Sequence, residues 1–256
     1  MRFTLLLAAS ACIMAAVLSY LSGRESRLLR ADPDSIPKNS AVMAFALSRG
    51  EPLFEMHCAT CHGAQGEGDP RRGVPALDDG DWLYGTGQVS DIEQVAKYGI
   101  RSYHRRAWNL AIMPAYATPR PSARDGRIPS LAPGDIRDLV EFLFRAQTRT
   151  ADAAAAARGA VVFAGVGGCY DCHAADAKGD SAIGAPDLTD RITLYGDGSR
   201  ESLAMSIGYG RHGMCPAWAD RIEPVGIREV AVFVYSLSRT RGHAGIAIRA
   251  VAPGAG

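Results

Sequence analysis

The sequence predicts an all-α fold, two tandem copies of one small domain behind an N-terminal transmembrane helix. Three observations carry this. A five-residue pattern occurs twice, Cys58-Ala59-Thr60-Cys61-His62 and Cys169-Tyr170-Asp171-Cys172-His173, 111 residues apart. Each copy has an apolar helical stretch before it and another closing it, with Gly- and Pro-rich loops between. The chain also opens on an uncharged run, Phe3 to Leu21.

The run comes first in chain order. Its 19 residues, at about 1.5 Å each, approach the roughly 30 Å of a bilayer core. It is longer than the usual core of a cleaved signal, so residues 1–22 read as a membrane anchor; a cleaved signal segment is the alternative. Residues 23–43 follow as a spacer, with Pro33 and Pro37 in it. The two domains are expected at 44–149 and 150–241, and 242–256 as a flexible tail.

Composition narrows the class. The 256 residues are 47% hydrophobic and carry a net charge of +1, so the chain is not wholly disordered and has no field that would gather nucleic acid. Six Cys are too few for a disulfide scaffold of this length.

C-x-x-C-H is the attachment pattern of c-type haem. Two thiols one helical turn apart add to the two vinyl groups as thioethers, and the adjacent His is held under the iron. A lone C-x-x-C would also fit a redox dithiol or half a zinc site. Two copies, each followed by His, favour two covalently bound haem c groups on Cys58, Cys61, Cys169 and Cys172, with His62 and His173 on the irons. Haem c is attached outside the bacterial cytoplasm, which places both domains in the periplasm.

The repeat runs beyond these motifs. At the same offset Gly73-Val74-Pro75-Ala76-Leu77 faces Gly184-Ala185-Pro186-Asp187-Leu188, and Leu83-Tyr84-Gly85 faces Leu194-Tyr195-Gly196. At a shorter offset Met113-Pro114-Ala115-Tyr116 faces Cys215-Pro216-Ala217-Trp218. Helices are expected over Ala44 to Phe54 and Ala154 to Phe163, each with Gly and an aromatic four residues on, and over the closing stretches Ile136 to Phe144 and Ile227 to Leu237. Gly50 and Gly159 permit close approach to a closing helix, through Phe142 and Phe144 or Phe233 and Tyr235.

The sixth ligand must come from the loop before each closing helix. Met113 is the candidate for the first haem, because a thioether favours the ferrous state. For the second haem, Pro216 aligned on Pro114 puts Cys215 in the ligand position, with Met214 one residue earlier. Both stay open, and His212 and Met205 are weaker candidates. Arg72 and Arg211 suit haem propionates. Trp82, Tyr84, Tyr195 and Trp218 are expected on haem edges, and His57 and His104 at the surface.

These segments together resemble the periplasmic part of subunit III of cbb3-type cytochrome c oxidases, with two class I cytochrome c domains in tandem. The resemblance covers roughly residues 46–240. It departs in a short N-terminal region, in insertions on either side of Met113, and in Cys215. It implies a diheme carrier without catalytic activity of its own. Electrons would pass from a donor cytochrome or quinol–cytochrome c reductase toward a terminal oxidase, in the periplasm at the bacterial inner membrane. The alternative is a diheme oxidoreductase acting on a small substrate such as thiosulfate or peroxide.

Overall fold

A computed structural model describes the backbone of residues 2–122, 126–128 and 130–249, with side chains described for 10, 12–119 and 130–239. The expected tail residues 250–256 lie outside the described residues, and the helix that precedes them runs on to Arg249. The regular structure among the described residues is all but entirely helical. Its one sheet is a hairpin of two three-residue strands, β1 (Arg120–Ser122) and β2 (Gly126–Ile128).

Helix α1 (Arg2–Arg30) leads into a 3₁₀ turn (Pro33–Lys38), then α2 (Ser40–His57) and the one-turn α3 (Ala59–His62). After a long loop come α4 (Val89–Tyr98), the hairpin, and α5 (Pro133–Ala146). The remainder is α6 (Ala153–Ala164), the short α7 (Tyr170–His173), α8 (Arg200–Tyr209) and α9 (Pro224–Arg249). Among the described residues no helix is long and apolar enough to cross a membrane.

The helices gather into two bodies, and not in chain order. The last helix, α9, packs on α2 and α4. Val230, Ala231, Val232 and Val234 of α9 share a core with Phe45, Phe54, Val89 and Ile92. The second body joins α5 to α6 and α8, with Leu139, Val140, Leu143 and Phe144 against Val162, Phe163 and Ile207. By these contacts residues from about 113 to 213 pack as one body, and a first body is built from the segments on both sides of it, across the boundary expected at 149/150.

The glycine locks are present, with the partners exchanged. Gly50 lies against the Glu229 carbonyl and Phe233 Cβ of α9, and Phe54 meets Phe233 at 5.3 Å between ring centroids. Gly159 lies against the Asp138 carbonyl and Phe142 Cβ of α5, with Phe142 and Phe163 at 4.9 Å. The physical reason is the connection. Only six residues, 147–152, join α5 to α6, and so short a link makes consecutive helices antiparallel neighbours. Once α6 takes α5, α2 can bury its stripe only against α9.

The expected spacer is not loose. Leu28 (0% exposed) and Ile36 (1%) belong to the first core. Asp32 caps the 3₁₀ turn by accepting from the Asp34 N–H, and the Asp34 carboxylate accepts from the Ser90 N–H at the start of α4. Buried Arg228 of α9 donates to the carbonyls of Leu28 and Ala31 and pairs with Glu93 at 2.5 Å. The prolines read as linker because Pro breaks α-helix, but Pro at the start of a 3₁₀ turn gives up no needed N–H.

Candidate cofactor site

Both C-x-x-C-H segments are built alike. Cys58 ends α2, its N–H still bonded to the Phe54 carbonyl, and α3 turns once to bring Cys61 and His62 around. Gly63, with φ +81°, stops the helix there; Ala174, with φ +60°, does the same after α7. The chain then loops under each His. His62 Nδ1 lies 3.0 Å from the Pro75 carbonyl, and His173 Nδ1 lies 3.1 Å from that of Pro186. A carbonyl can only accept, so Nδ1 carries the proton and Nε2 keeps its lone pair free for a metal. Burial holds both imidazoles below their ordinary pKa, against the opposing bond to the carbonyl, and so in the neutral, ligating form.

The two sites open into one cavity of about 770 Å³. It is lined by Cys58, Cys61 and His62 from one body and by Cys169, Cys172 and His173 from the other. Tyr84 packs on Gly184 and Tyr195 on Gly73, so each body sends a tyrosine into the loop under the other's site. The Gly85 N–H donates to Ser181 and the Gly196 N–H to Pro70. Both glycines under the tyrosines sit at positive φ, where a side chain would be both strained and obstructed. The residues fit haem c: paired thiols with a fixed imidazole, on the wall of a deep and largely apolar cleft.

The ligand loops follow the exchanged helices. Met113 packs on the cluster that includes Cys169 and pairs with Arg211, N–H to carbonyl in both directions at 3.2 Å. Cys215 pairs in the same way with Ile100, at 2.9 and 3.0 Å. It lies close enough to Cys58 and Cys61 to be felt electrostatically by both; burial first, and then these neighbours, push the Cys58 thiol up to about 12. Met113 was expected beside His62, and Met214 or Cys215 beside His173; here the Met113 loop packs on the body that holds His173, and the Cys215 loop on the body that holds His62.

Other expected residues divide. Trp82, Tyr84, Tyr195 and Trp218 line the cavity. His57, expected at the surface, also lines it and meets the Trp218 ring at 5.0 Å. His104 stacks on Tyr98 at 4.7 Å, away from the cavity, and Met205 is exposed on α8. Arg72 lies 3.8 Å from Cys61 Sγ. Arg211 lines the cavity, bonded to Ser206 and stacked on Tyr195.

Arg101 is the residue that sequence reasoning missed. It lines the cavity at φ +48° and donates to Tyr84 Oη at 2.8 Å, to the Ala111 carbonyl and to that of Gly213. A signal was present: Tyr98-Gly99 and Tyr209-Gly210 stand at the same 111-residue offset as the haem motifs. That register puts the residues after each glycine, Arg101 among them, at the site.

An acidic group marks the junction. The Asp81 carboxyl is pushed up to about 6, by burial first and then by the negative charges of Asp190, Asp79 and Asp187. A raised acid is stabilising while protonated, so its contribution is complete below the unfolded pKa and is lost as pH rises through about 6. Asp81→Asn is therefore expected to raise thermal stability at neutral pH. The gain is on the order of 1 kcal/mol after solvent screening of a half-exposed group. Melting curves at about pH 4 and about pH 7.5 check it, with a difference only at the higher value.

The family model for cytochrome c matches residues 47–146. Cbb3-type cytochrome c oxidase subunit FixP of a Bradyrhizobium species is 37% identical over 205 residues, 79% of this chain and 64% of that protein. Subunit CcoP of Rhodobacter capsulatus is 35% identical over 221 residues, 83% and 69% respectively. FixP of Sinorhizobium medicae is 31% identical over 224, covering 88% and 72%. The chain thus spans about two thirds of the length of these relatives, and somewhat less of the first. By this likeness the chain belongs to the family of cbb3-type cytochrome c oxidase subunits FixP and CcoP.

Proposed function

We propose that the chain carries electrons toward a terminal oxidase on two covalently bound haem c groups. The carrying observation is the single cavity faced by both C-x-x-C-H motifs. Bound there, haem supplies a one-electron couple; the rest falls to the polypeptide. The four cysteines fix each group in place. His62 and His173 present Nε2, held in that tautomer by Pro75 and Pro186. The apolar lining excludes water, and Arg101 and Arg211 offer guanidinium donors to buried propionates. The interlocked bodies fix the distance between the two groups without a hinge.

Phe3 to Leu21, leading α1, is the anchor in this proposal and holds both bodies on the periplasmic side of the inner membrane. A donor cytochrome or a quinol–cytochrome c reductase would feed the chain, and the oxidase would drain it. The names of the relatives support the acceptor.

Met113 is the sixth ligand of the His173 haem. Two haems per chain are expected from the alkaline pyridine spectrum. Met113→Ala is expected to abolish the weak far-red band of Met–iron(III) ligation while leaving the haem count at two. A count of one, or a change confined to the His62 haem, would overturn the assignment.

A further inference from the structure

The ligand loops carry one difference that the fold does not demand. After α8, Gly210 packs under the Met113–Ala115 backbone, and the Tyr116 and Ala117 N–H groups donate to the carbonyls of Ile207 and Gly208. After α4, Gly99 packs under the Cys215–Ala217 backbone, and the Trp218 and Ala219 N–H groups donate to those of Ala96 and Lys97. Counted from either glycine the bonds fall at the same steps. Residue for residue, Cys215 occupies on the His62 side the place that Met113 occupies on the His173 side. Met214, one step out of register, is 68% exposed.

We infer that Cys215 is the sixth ligand of the His62 haem, so that the two irons are unlike: His–thiolate in one body and His–thioether in the other. This rests on the proposed diheme function and names the ligand within it. The site itself stands on Cys58, Cys61 and His62, and the register supplies the last donor. Binding forms an Sγ–iron bond as the thiol proton passes to solvent, and no electron changes hands. A metal takes up a thiol as the thiolate whatever its burial. Thiolate is a far stronger donor than thioether and favours the ferric state, so the His62 haem is the lower in potential. Electrons then run downhill from the His62 body to the His173 body.

The test uses the full chain, purified in detergent with its haems attached. A pyridine count of two establishes the diheme protein independently of ligand identity, so a failure there is a failure of the proposed function. Given two haems, the ferric protein is expected to show a far-red band for one Met–iron pair only. It should also show the narrow low-spin electron paramagnetic signal of thiolate ligation, and two separate waves in a potentiometric titration. Cys215→Met should double the far-red band, remove the thiolate signal and raise the lower wave. Met214→Leu should change none of these. A wild-type band already worth two Met ligands would overturn the inference. So would a Cys215→Ala protein with an unaltered spectrum, or loss of ligation in Met214→Leu.

Discussion

Deleting residues 214–256 is expected to unfold the body that holds Cys58, Cys61 and His62, more than 150 residues upstream of the cut, and to spare the body that holds Cys169, Cys172 and His173. Val230, Ala231, Val232 and Val234 leave the first core with the deleted helix. Each buried aliphatic side chain is worth about 1.5–3 kcal/mol where it is larger than Ala. Their loss, with the face of α2 they cover, consumes most of a domain's typical stability of about 5–15 kcal/mol. The other body keeps α5, α6 and α8. Limited proteolysis with mass mapping of the haem peptides checks this: the His62 peptide should be cut quickly and the His173 peptide protected. A chain folded as two consecutive domains would give the reverse, since the deletion would then fall on the second.

Arg228→Ala is expected to cost about 3–5 kcal/mol, the range for removing one partner of a buried pair. The side chain is almost fully enclosed and makes three contacts at once, with Glu93 of α4 and with the carbonyls of Leu28 and Ala31. Its removal leaves Glu93 half-sealed without a counter-charge and two carbonyls without a donor. Chemical denaturation should show the whole first body weakened. Arg228→Lys should recover part of the loss only, because an ammonium cannot span the carboxylate and both carbonyls in one plane.

Much of the site could be read from the sequence because its chemistry is local. Cys-x-x-Cys-His sets its own geometry, and the repeated Pro75 and Pro186 stand the same 13 residues beyond each His. The Gly50 and Gly159 locks were legible too, since a missing Cβ four residues before an aromatic marks a close crossing. Which helix fills each lock was not legible. The two closing helices offer the same complement, and periodicity cannot tell one from the other. The decision lay in the six-residue link between α5 and α6, a property of connection rather than of pattern. Leu28 and Ile36 were missed because a proline-bearing stretch between helices looks like linker until its neighbours are known. Arg101 was missed because its role depends on reaching Tyr84 and the carbonyl of Gly213, which lies 112 residues away.

The permuted path also sets a timetable for assembly. A chain made from its N-terminus presents Cys58 and Cys61 early but completes their enclosure only with its final helix. At about 5–20 residues per second, the stretch from His62 to Arg249 takes roughly 10–40 s to emerge. Through that interval the first pair of thiols stands in the open, within reach of whatever machinery delivers haem, while the inserted half closes around its own pair as soon as α8 is made. The segment synthesised second is thus the first to be sealed, and the last helix works as the latch that ends access to the other.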